Sequence, residues 1–453
     1  MVGDTDVMYP DYEYVNAEFM QQLWPLNGNV DGTILENNWP LDNSEKMLNE
    51  TYFSLPYFSE NMENAFENTL RWDNIRGNDN DETYIYQHNK YGNKFIKAVQ
   101  NVTGNEMPIF STSQWMNGDV IINSQNVNTS WASLGRELVK ASFGGISGHW
   151  FWSTPICGDM EDFDSELHTD LCVKWYMAAT FLPMIKIHSK STLRDPIAFA
   201  GINRMHMIRA LDTRLSLLPY FYTILQTGPL LRPMFYQFPY SESLLNLTTQ
   251  FSVGDDLLIV PNLLPRQSHV HVWMPPGKWY ELWSGLGLDA EEGEPITMTT
   301  TQADFLVLIQ GGKILLLQKE GKQTLQDTRR LSKFSSIIAL YCPSKINSTL
   351  SVNMEDCYAE GKLYLAKDLQ LVLKSTNVEL TVTAEGNDFS TVCDPDQAIW
   401  ANTLTEVNIY GLEPSINNYD NLRRVDVDIN LCDLQNNDKI MFDFINGKSR
   451  VIN

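Results

Sequence analysis

Short apolar runs alternate with longer stretches of helical periodicity up to about Pro239, and this alternation limits the possible folds more than any other feature. The apolar runs include Gly-Thr-Ile-Leu at 32–35, Met-Pro-Ile-Phe at 107–110 and Gly-His-Trp-Phe-Trp at 148–152. The helical stretches include 84–100, 130–146, 167–182 and 203–226. Because alternating strands and helices build parallel sheets, the pattern predicts either a β/α barrel or a doubly wound fold over residues 1–240.

The pattern changes at about residue 241, where short β runs separated by Gly and Pro turns begin. These runs predict a small all-β domain over 241–318 and a second β-sandwich over 319–453. One segment in the first half of the chain follows neither pattern. Residues 61–82 are acidic and rich in asparagine, so they are interpreted as a long exposed insertion.

Charge and composition exclude several classes of partner. The 453 residues carry 33 basic and 56 acidic side chains, a formal net charge of −23. Such a surface repels phosphate, so we expect neither nucleic acid nor an anionic lipid surface as the main partner. No run of 18 apolar residues occurs, so we expect no membrane span. The sequence gives no sign of a metal or organic cofactor, and it leaves the oligomeric state open.

Cysteine and asparagine usage indicates the secretory route. The six cysteines are even in number, and none lies in a C-x-x-C or metal-binding spacing. Five N-x-[ST] sequons are present. The first thirty residues, however, lack the basic start and apolar core of a signal peptide. We therefore expect a secreted or lumenal protein whose given N-terminus is not the ancestral one.

Several motifs follow one another in a fixed order. They include DGTILENNWP at 31–40, WMNGDV at 115–120, GISGHWFWSTPICG at 145–158 and VWMPPGKWYELWSG at 272–285. From about residue 2 to 318 the series resembles glycoside hydrolase family 31, which contains the retaining α-glucosidases of the lysosomal acid α-glucosidase and sucrase-isomaltase type. The resemblance implies a partial (β/α)8 TIM barrel, about strands 4–8, followed by two C-terminal β-sandwich domains. It also implies an N-terminal truncation, a secreted or lysosomal or ER-lumenal location, and no cofactor.

The resemblance assigns two catalytic carboxyl groups. Retaining hydrolysis needs a nucleophile and an acid/base about 5–5.5 Å apart. The nucleophile position falls on Glu36, where the family has Asp, so the carboxylate of Glu36 reaches about 1.5 Å further. The acid/base position falls on Asp119. Met116 stands at a substrate-binding position that is aromatic in the family.

Several positions that hold the sugar in the family differ here. Residues 107–119 contain no Arg, although the family places one there. Pro155 stands where the family has an Asp that binds sugar hydroxyls. His188 matches a family histidine and is expected to donate to a sugar hydroxyl, although a buried core histidine is an alternative interpretation. Cys157 and Cys172 match a family disulfide, whereas the pairing of the other four cysteines stays open.

These substitutions leave three hypotheses. The first is a hydrolase of terminal α-linked glucose in α-glucoside oligosaccharides whose activity is impaired. The second is a catalytically inactive pseudoenzyme, a secreted or lumenal carbohydrate-binding or interaction protein. The third is a carbohydrate-binding or structural module built on the two β-domains, although no aromatic stripe singles it out.

Overall fold

The structure, a computed structural model, describes residues 31–36, 38, 88–104, 106–115, 120–159, 164–187, 193–291, 295–300, 305–319, 333–343, 357–386, 394, 401–412 and 422–452. The predicted insertion at 61–82 lies outside these residues. The chain divides into two units, each described below by itself. The first comprises Met1–Val127 and Ser147–Pro155, and the second comprises Asn128–Ile146 and Ile156–Asn453.

The first unit contains four short parallel strands and a helix. The strands are β1 (Thr33–Leu35), β2 (Ile109–Ser111), β3 (Ile121–Asn123) and β4 (Trp152–Pro155), hydrogen-bonded in that order. Helix α1 (Tyr91–Thr103) follows a single 3-10 turn at His88–Lys90. The apolar side of α1 packs Ile96 and Val99 against Leu35, Ile109 and Val120. Burial of side chains of this size, worth about 1.5–3 kcal/mol each, holds the helix on the sheet.

The second unit begins with helices. They are α2 (Trp131–Ile146), α3 (Ser165–Ala179) and α4 (Gly201–Leu225), with strand β5 (Met184–Lys186) between α3 and α4. A 3-10 turn at Pro196–Ala198 precedes α4. Strand β6 (Leu231–Pro233), the short helix α5 (Met234–Gln237) and a 3-10 turn at Glu242–Leu244 follow it.

Arg214 of α4 fixes the C-terminal end of α3. Its guanidinium donates hydrogen bonds to the carbonyls of Ala179, Thr180, Leu182 and Pro183. The last carbonyls of a helix have no partner inside the helix, so this cation satisfies groups that burial would otherwise leave unpaired. Burial lowers the pKa of Arg214 to about 10. The guanidinium therefore stays charged near neutral pH and holds the turn before β5.

The first β-rich part contains a six-stranded sheet and a two-stranded ribbon. Its further strands are β7 (Phe251–Val253), β8 (Leu257–Val260), β9 (His269–Trp273), β10 (Gly277–Glu281), β11 (Gly287–Ala290), β12 (Pro295–Thr299) and β13 (Leu306–Gln310). The sheet order is β11-β10-β13-β8-β7-β6, and β12 pairs with β9. Trp279 lies fully inside the core of this part, and its indole N–H donates to the carbonyl of Pro275.

The second β-rich part is a nine-stranded sheet. Its strands are β14 (Lys313–Lys319), β15 (Lys333–Ala339), β16 (Ala359–Ala366), β17 (Leu369–Ser375), β18 (Glu379–Gly386), β19 (Thr403–Tyr410), β20 (Leu422–Asn430), β21 (Lys439–Asp443) and β22 (Lys448–Ile452). A 3-10 turn at Leu431–Asp433 follows β20. The sheet order is β20-β19-β15-β14-β16-β17-β18-β21-β22. Strand β14 thus belongs to this sheet, and the domain boundaries at 240 and 318 stay predictions.

Two tyrosines join the two β-rich parts. The hydroxyl of Tyr280 in β10 donates to the carbonyl of Leu340 at 2.7 Å, and the hydroxyl of Tyr410 in β19 donates to the carbonyl of Leu282 at 2.7 Å. Their ring centroids lie 6.0 Å apart. Gly411 permits this approach, because a Cβ there would lie 2.1 Å from the Tyr280 hydroxyl. Burial raises the pKa of both phenols, so both hydroxyls keep their protons and remain donors.

Candidate active site

Glu36 lies where a β/α barrel builds its active site. It is the first residue after β1, and its side chain is exposed. In such barrels the catalytic groups come from the carboxyl ends of the strands. The described residues offer the Glu36 carboxylate no hydrogen-bond or ion-pair partner. Asp119, Met116 and His188 lie outside the described residues, so their roles stay predictions.

Asn38 connects the ends of two neighbouring strands. Its buried carboxamide accepts a hydrogen bond from the Ser113 N–H at 2.9 Å and donates to the Ser113 carbonyl at 3.0 Å. It also donates to the Ser111 hydroxyl at 2.8 Å. A second link runs from the Thr112 hydroxyl to the Leu35 carbonyl at 3.1 Å. The turn that carries Glu36 and the turn after β2 are therefore held together.

Helix α1 holds the segment after β2 from another side. Asn93 accepts from the Trp115 N–H at 2.8 Å and donates to the Trp115 carbonyl at 2.6 Å. Gly92 lies so close to this segment that an added Cβ would be 2.1 Å from the Ser113 carbonyl oxygen. Residues 113–115 lead directly toward Asp119 in the sequence. Two asparagine side chains and a glycine thus fix the backbone that precedes the predicted acid/base.

A partly buried polar pair lies in the same unit. The Gln114 side-chain amide nitrogen and His149 Nδ1 are 3.0 Å apart. An amide nitrogen can only donate, so Nδ1 accepts and the imidazole carries its proton on Nε2. Burial lowers the pKa of His149, which favours this neutral form. The pair supplies a fixed side chain next to Trp115.

Pro155 is the last residue of β4, and it is buried. The resemblance described above implies that the family has an Asp at this position, which binds sugar hydroxyls. Proline has no N–H and no acceptor in its side chain. The strand end therefore lacks the hydrogen-bonding group that the resemblance assigns to it.

The second unit carries the predicted disulfide. Cys157 and Cys172 of α3 are bonded, with their Cα atoms 4.9 Å apart. The Thr129 hydroxyl donates to the Cys157 carbonyl at 2.8 Å. Closing a loop of 15 residues in this way stabilises the fold by about 3 kcal/mol in the chain-entropy model. Asp159 lies in the same loop. Burial lowers the pKa of Arg194, and the negative charge of Asp159 partly offsets this lowering.

The other described cysteines are also oxidised. Cys342 and Cys357 form a second disulfide, and Cys432 is disulfide-bonded as well. Within the described ranges, no three His, Cys, Asp or Glu side chains are grouped to hold a metal ion. No described helix is long and apolar enough to cross a membrane.

The sequence interpretation missed the polar framework around Glu36. Nothing in the local pattern distinguishes Asn93 from the many other asparagines of the chain. Asn38 alone had a usable signal, since asparagine just after a strand often bonds nearby backbone. Its partner Ser113, however, is 75 residues away.

Two family models match the chain. The model of the glycosyl hydrolases family 31 TIM-barrel domain matches residues 6–224, and that of the glycosyl hydrolase family 31 C-terminal domain matches residues 227–315. The chain therefore belongs to glycoside hydrolase family 31. The predicted fold class, a partial barrel followed by a β-rich C-terminal region, is confirmed.

Curated relatives agree with this assignment. The chain is 27% identical to an α-glucosidase of Schizosaccharomyces pombe over 337 residues, which cover 70% of this chain and 32% of the relative. It is 30% identical to glucoamylase 1 of Candida albicans over 230 residues, covering 49% and 22%. It is 24% identical to the human probable maltase-glucoamylase 2 over 296 residues, covering 62% and 12%. The chain thus spans a third or less of the length of these relatives.

Solved structures show the same fold. A family 31 dextranase of Flavobacterium johnsoniae in complex with glucose has a TM-score of 0.62 at 18% identity, covering 89% of this chain and 49% of the other. The Tris-bound glucosidase II alpha subunit has a TM-score of 0.60 at 19% identity, covering 76% and 38%. At these identities the likeness concerns the fold alone.

Proposed function

We propose that this chain recognises terminal α-linked glucose in oligosaccharides at the carboxyl ends of its barrel strands and hydrolyses it with impaired turnover. The position of Glu36 carries the proposal. This acid directly follows β1, is exposed, and lies two residues from the asparagine that holds the turn after β2. The named relatives, an α-glucosidase and two glucoamylase-type enzymes, support the substrate class.

The chemistry needs two carboxyl groups in different protonation states. In the first step the Glu36 carboxylate attacks the anomeric carbon while Asp119 gives its proton to the departing glycosidic oxygen. The product is a glucosyl ester on Glu36. In the second step Asp119 removes a proton from water, the water oxygen attacks the anomeric carbon, and the ester bond to Glu36 breaks. Two displacements leave the configuration of the sugar unchanged.

Two features support impairment. The side chain of Glu36 is one methylene longer than the Asp of the family, and a misplacement of about 1 Å can cost about 100-fold in rate. Pro155 removes a hydrogen-bonding side chain at the end of β4. A site built around sugar hydroxyls loses discrimination when such partners are missing. Both changes act on positioning, so the expected loss is mainly in turnover.

The longer side chain of Glu36 at the nucleophile position also favours the second candidate, a pseudoenzyme that binds α-glucosides without hydrolysing them. In either case the disulfides support a secreted or lumenal location, because such bonds persist in oxidising compartments.

Hydrolysis of 4-nitrophenyl α-D-glucopyranoside by the purified full chain between pH 4 and 7 tests the first candidate. The matched controls are Asp119→Asn and Glu36→Gln, which keep the size of each side chain. We expect slow release of 4-nitrophenol by the unchanged chain and none by either variant.

Equal rates for all three proteins would overturn hydrolysis at this site. Calorimetric titration with maltose then separates the remaining outcomes. Binding that Glu36→Gln weakens supports the pseudoenzyme, and an absence of binding at millimolar maltose contradicts both candidates.

A further inference from the structure

A groove of about 830 Å³ runs across β16, β17, β18 and β21 in the nine-stranded sheet. Side chains alternate along these strands, and the exposed ones that line the groove, Glu360, Lys374 and Lys439 among them, point away from the buried core. Each of the four strands is hydrogen-bonded to a strand on both sides. Because their backbone groups are already paired, a ligand in this groove must be recognised by side chains.

The side chains form two rows across the sheet. Pairing places Glu360, Lys374 and Thr381 side by side in one row. It places Val372, Thr383 and Lys439 in the next. Directly opposite neighbours in such rows lie about 4.5–5.5 Å apart. Each row thus offers a hydroxyl and a cationic donor, and the first row adds a carboxylate acceptor.

In the described part of the chain, the charged side chains that line the groove are not paired with one another in ion pairs. Lys374 and Lys439 face Glu360, Glu379 and Glu385 across the lining, yet none of the five forms an ion pair among the described residues. Glu385 accepts a hydrogen bond from the Gln370 side chain at 2.7 Å, and the buried Gln370 Oε1 has no partner. Two cations against three anions give no strong field of either sign.

A rigid aromatic ring borders the groove. Tyr358 precedes β16, its side chain is 48% exposed, and it lines the groove. Tyr341 and Tyr358 exchange backbone hydrogen bonds of 2.9 and 3.0 Å, and their ring centroids are 5.7 Å apart. The adjacent Cys342–Cys357 disulfide ties the same two segments. The ring is therefore held in place before any ligand arrives.

We propose that this groove binds a neutral oligosaccharide, at a site separate from the strand ends that carry Glu36. Interleaved donors and acceptors suit the hydroxyls of hexoses, and the Tyr358 ring and the Val372 side chain offer apolar contact to their C–H faces. The balance of charge disfavours a polyanion. Strands paired on both sides exclude a peptide that binds by strand addition. The groove would hold a sugar chain whether or not the proposed hydrolysis occurs.

Titration of the full chain with maltoheptaose tests the proposal in an Asp119→Asn background, which prevents turnover. Tyr358→Ala should weaken binding about tenfold, since it removes the aromatic contact. Thr383→Val should weaken it about threefold, since it removes one hydroxyl and keeps the branched shape that fits a strand. The matched control is Tyr240→Ala, which removes a 97% exposed tyrosine outside the groove and should leave the Kd unchanged.

Kd values for Tyr358→Ala and Thr383→Val within twofold of the parent would overturn the proposal, as would an absence of maltoheptaose binding. Tighter binding of heparin than of maltoheptaose, lost in Tyr358→Ala, would assign the groove to polyanions instead. Because Thr383→Val preserves the strand, its thermal unfolding should match that of the parent, and its loss of affinity would not reflect misfolding. Loss of hydrolysis alone, with maltoheptaose still bound through Tyr358, contradicts only the function proposed above.

Discussion

The carboxamide of Asn38 holds both backbone hydrogen-bonding groups of Ser113, accepting from its N–H at 2.9 Å and donating to its carbonyl at 3.0 Å. A single side chain thereby joins the turn after β1, where Glu36 lies, to the turn after β2. The two turns cannot shift independently without breaking these bonds. Under the proposed function, this contact sets the position of the nucleophile relative to the segment that leads to the acid/base.

Asn38→Ala should lower both stability and turnover. It leaves the partly buried Ser113 N–H without its partner, which costs about 1–3 kcal/mol, whereas the Ser111 hydroxyl still donates to the Ser113 carbonyl at 2.8 Å. It also releases the Glu36 turn, so we expect kcat to fall by up to about 100-fold. Thermal unfolding and release of 4-nitrophenol measure the two effects. Asn203→Ala in α4, which changes a side chain with no hydrogen bond among the described residues, is the control, and equal behaviour of the two variants would contradict the role of Asn38.

Gly92→Ala should displace the segment after β2. The added Cβ would lie 2.1 Å from the Ser113 carbonyl oxygen, a separation that neither backbone can accept without moving. Gly135→Ala in α2 is the matched control, because its Cβ would meet only Leu263 at 3.9 Å. In a helix interior that change should stabilise by about 0.5–1 kcal/mol. We expect the melting temperature to fall in Gly92→Ala and to rise in Gly135→Ala. An unchanged melting temperature in Gly92→Ala would show that the contact is not tight.

Glu36→Asp should raise hydrolysis. If the extra methylene misplaces the carboxylate, its removal should raise kcat by about tenfold or more. A fall in kcat would show that the backbone has adapted to the longer acid.

Glu36→Gly tests the nucleophile itself. With α-D-glucopyranosyl fluoride and sodium azide, azide can occupy the space that the carboxylate leaves and attack the anomeric carbon as fluoride departs. We expect β-glucosyl azide from this variant and none from Asp119→Asn, by mass spectrometry and NMR. Formation of the β-azide by both variants, or by neither, would argue against Glu36 as the attacking group.

Glu406 should make stability depend on pH. Burial by itself raises the pKa of this carboxyl, but hydrogen bonds from Lys319 and Asn408 and the charges of Lys319 and Arg424 outweigh burial and lower it below 4.5. A carboxyl with a lower pKa in the folded state stabilises the fold above its unfolded pKa, and this contribution disappears as pH falls through the folded pKa. The stability difference between the unchanged chain and Glu406→Gln should therefore be present at pH 7 and shrink below about pH 4.5.

Urea unfolding at pH 7 and below about pH 4.5 measures the stability difference between the unchanged chain and Glu406→Gln. Glu360→Gln removes an exposed acid of the same sheet that has no ion pair among the described residues, and it serves as the control. A Glu406→Gln effect that grows on acidification would contradict the assigned ion pairs.

Periodicity in the sequence located the helices well and their ends less well. The stretch 130–146 corresponds to α2 at Trp131–Ile146, and 203–226 to α4 at Gly201–Leu225. The stretch 84–100 contains the start of helix α1, which runs from Tyr91 to Thr103 and so extends past the predicted end. Gly104, with a φ of 86°, follows its last residue and ends the helix. Such ends depend on capping contacts and single backbone angles, which an apolar repeat does not report.

The residues of the candidate site could be predicted from the sequence only where they belong to a recognisable motif. The motif series placed Glu36 after a strand and paired Cys157 with Cys172. Asn93 and Trp115, by contrast, are 22 residues apart, and Gln114 and His149 are 35 apart. Contacts of this kind follow from tertiary packing and leave no periodic trace. The groove beside Tyr358 was missed for the same reason, because its lining alternates with core residues over four strands.

The reciprocal hydroxyl bonds of Tyr280 and Tyr410 have a consequence for chimaeric proteins. Each tyrosine uses a carbonyl supplied by the other β-rich part, so neither surface is complete without its counterpart. A graft that exchanged the last 130 or so residues for those of another family member would remove Tyr410 and the Leu340 carbonyl, so the Tyr280 hydroxyl and the Leu282 carbonyl would both lose their partners. The incoming segment would have to carry a tyrosine at position 410 and a glycine at position 411 for such a hybrid to keep both bonds.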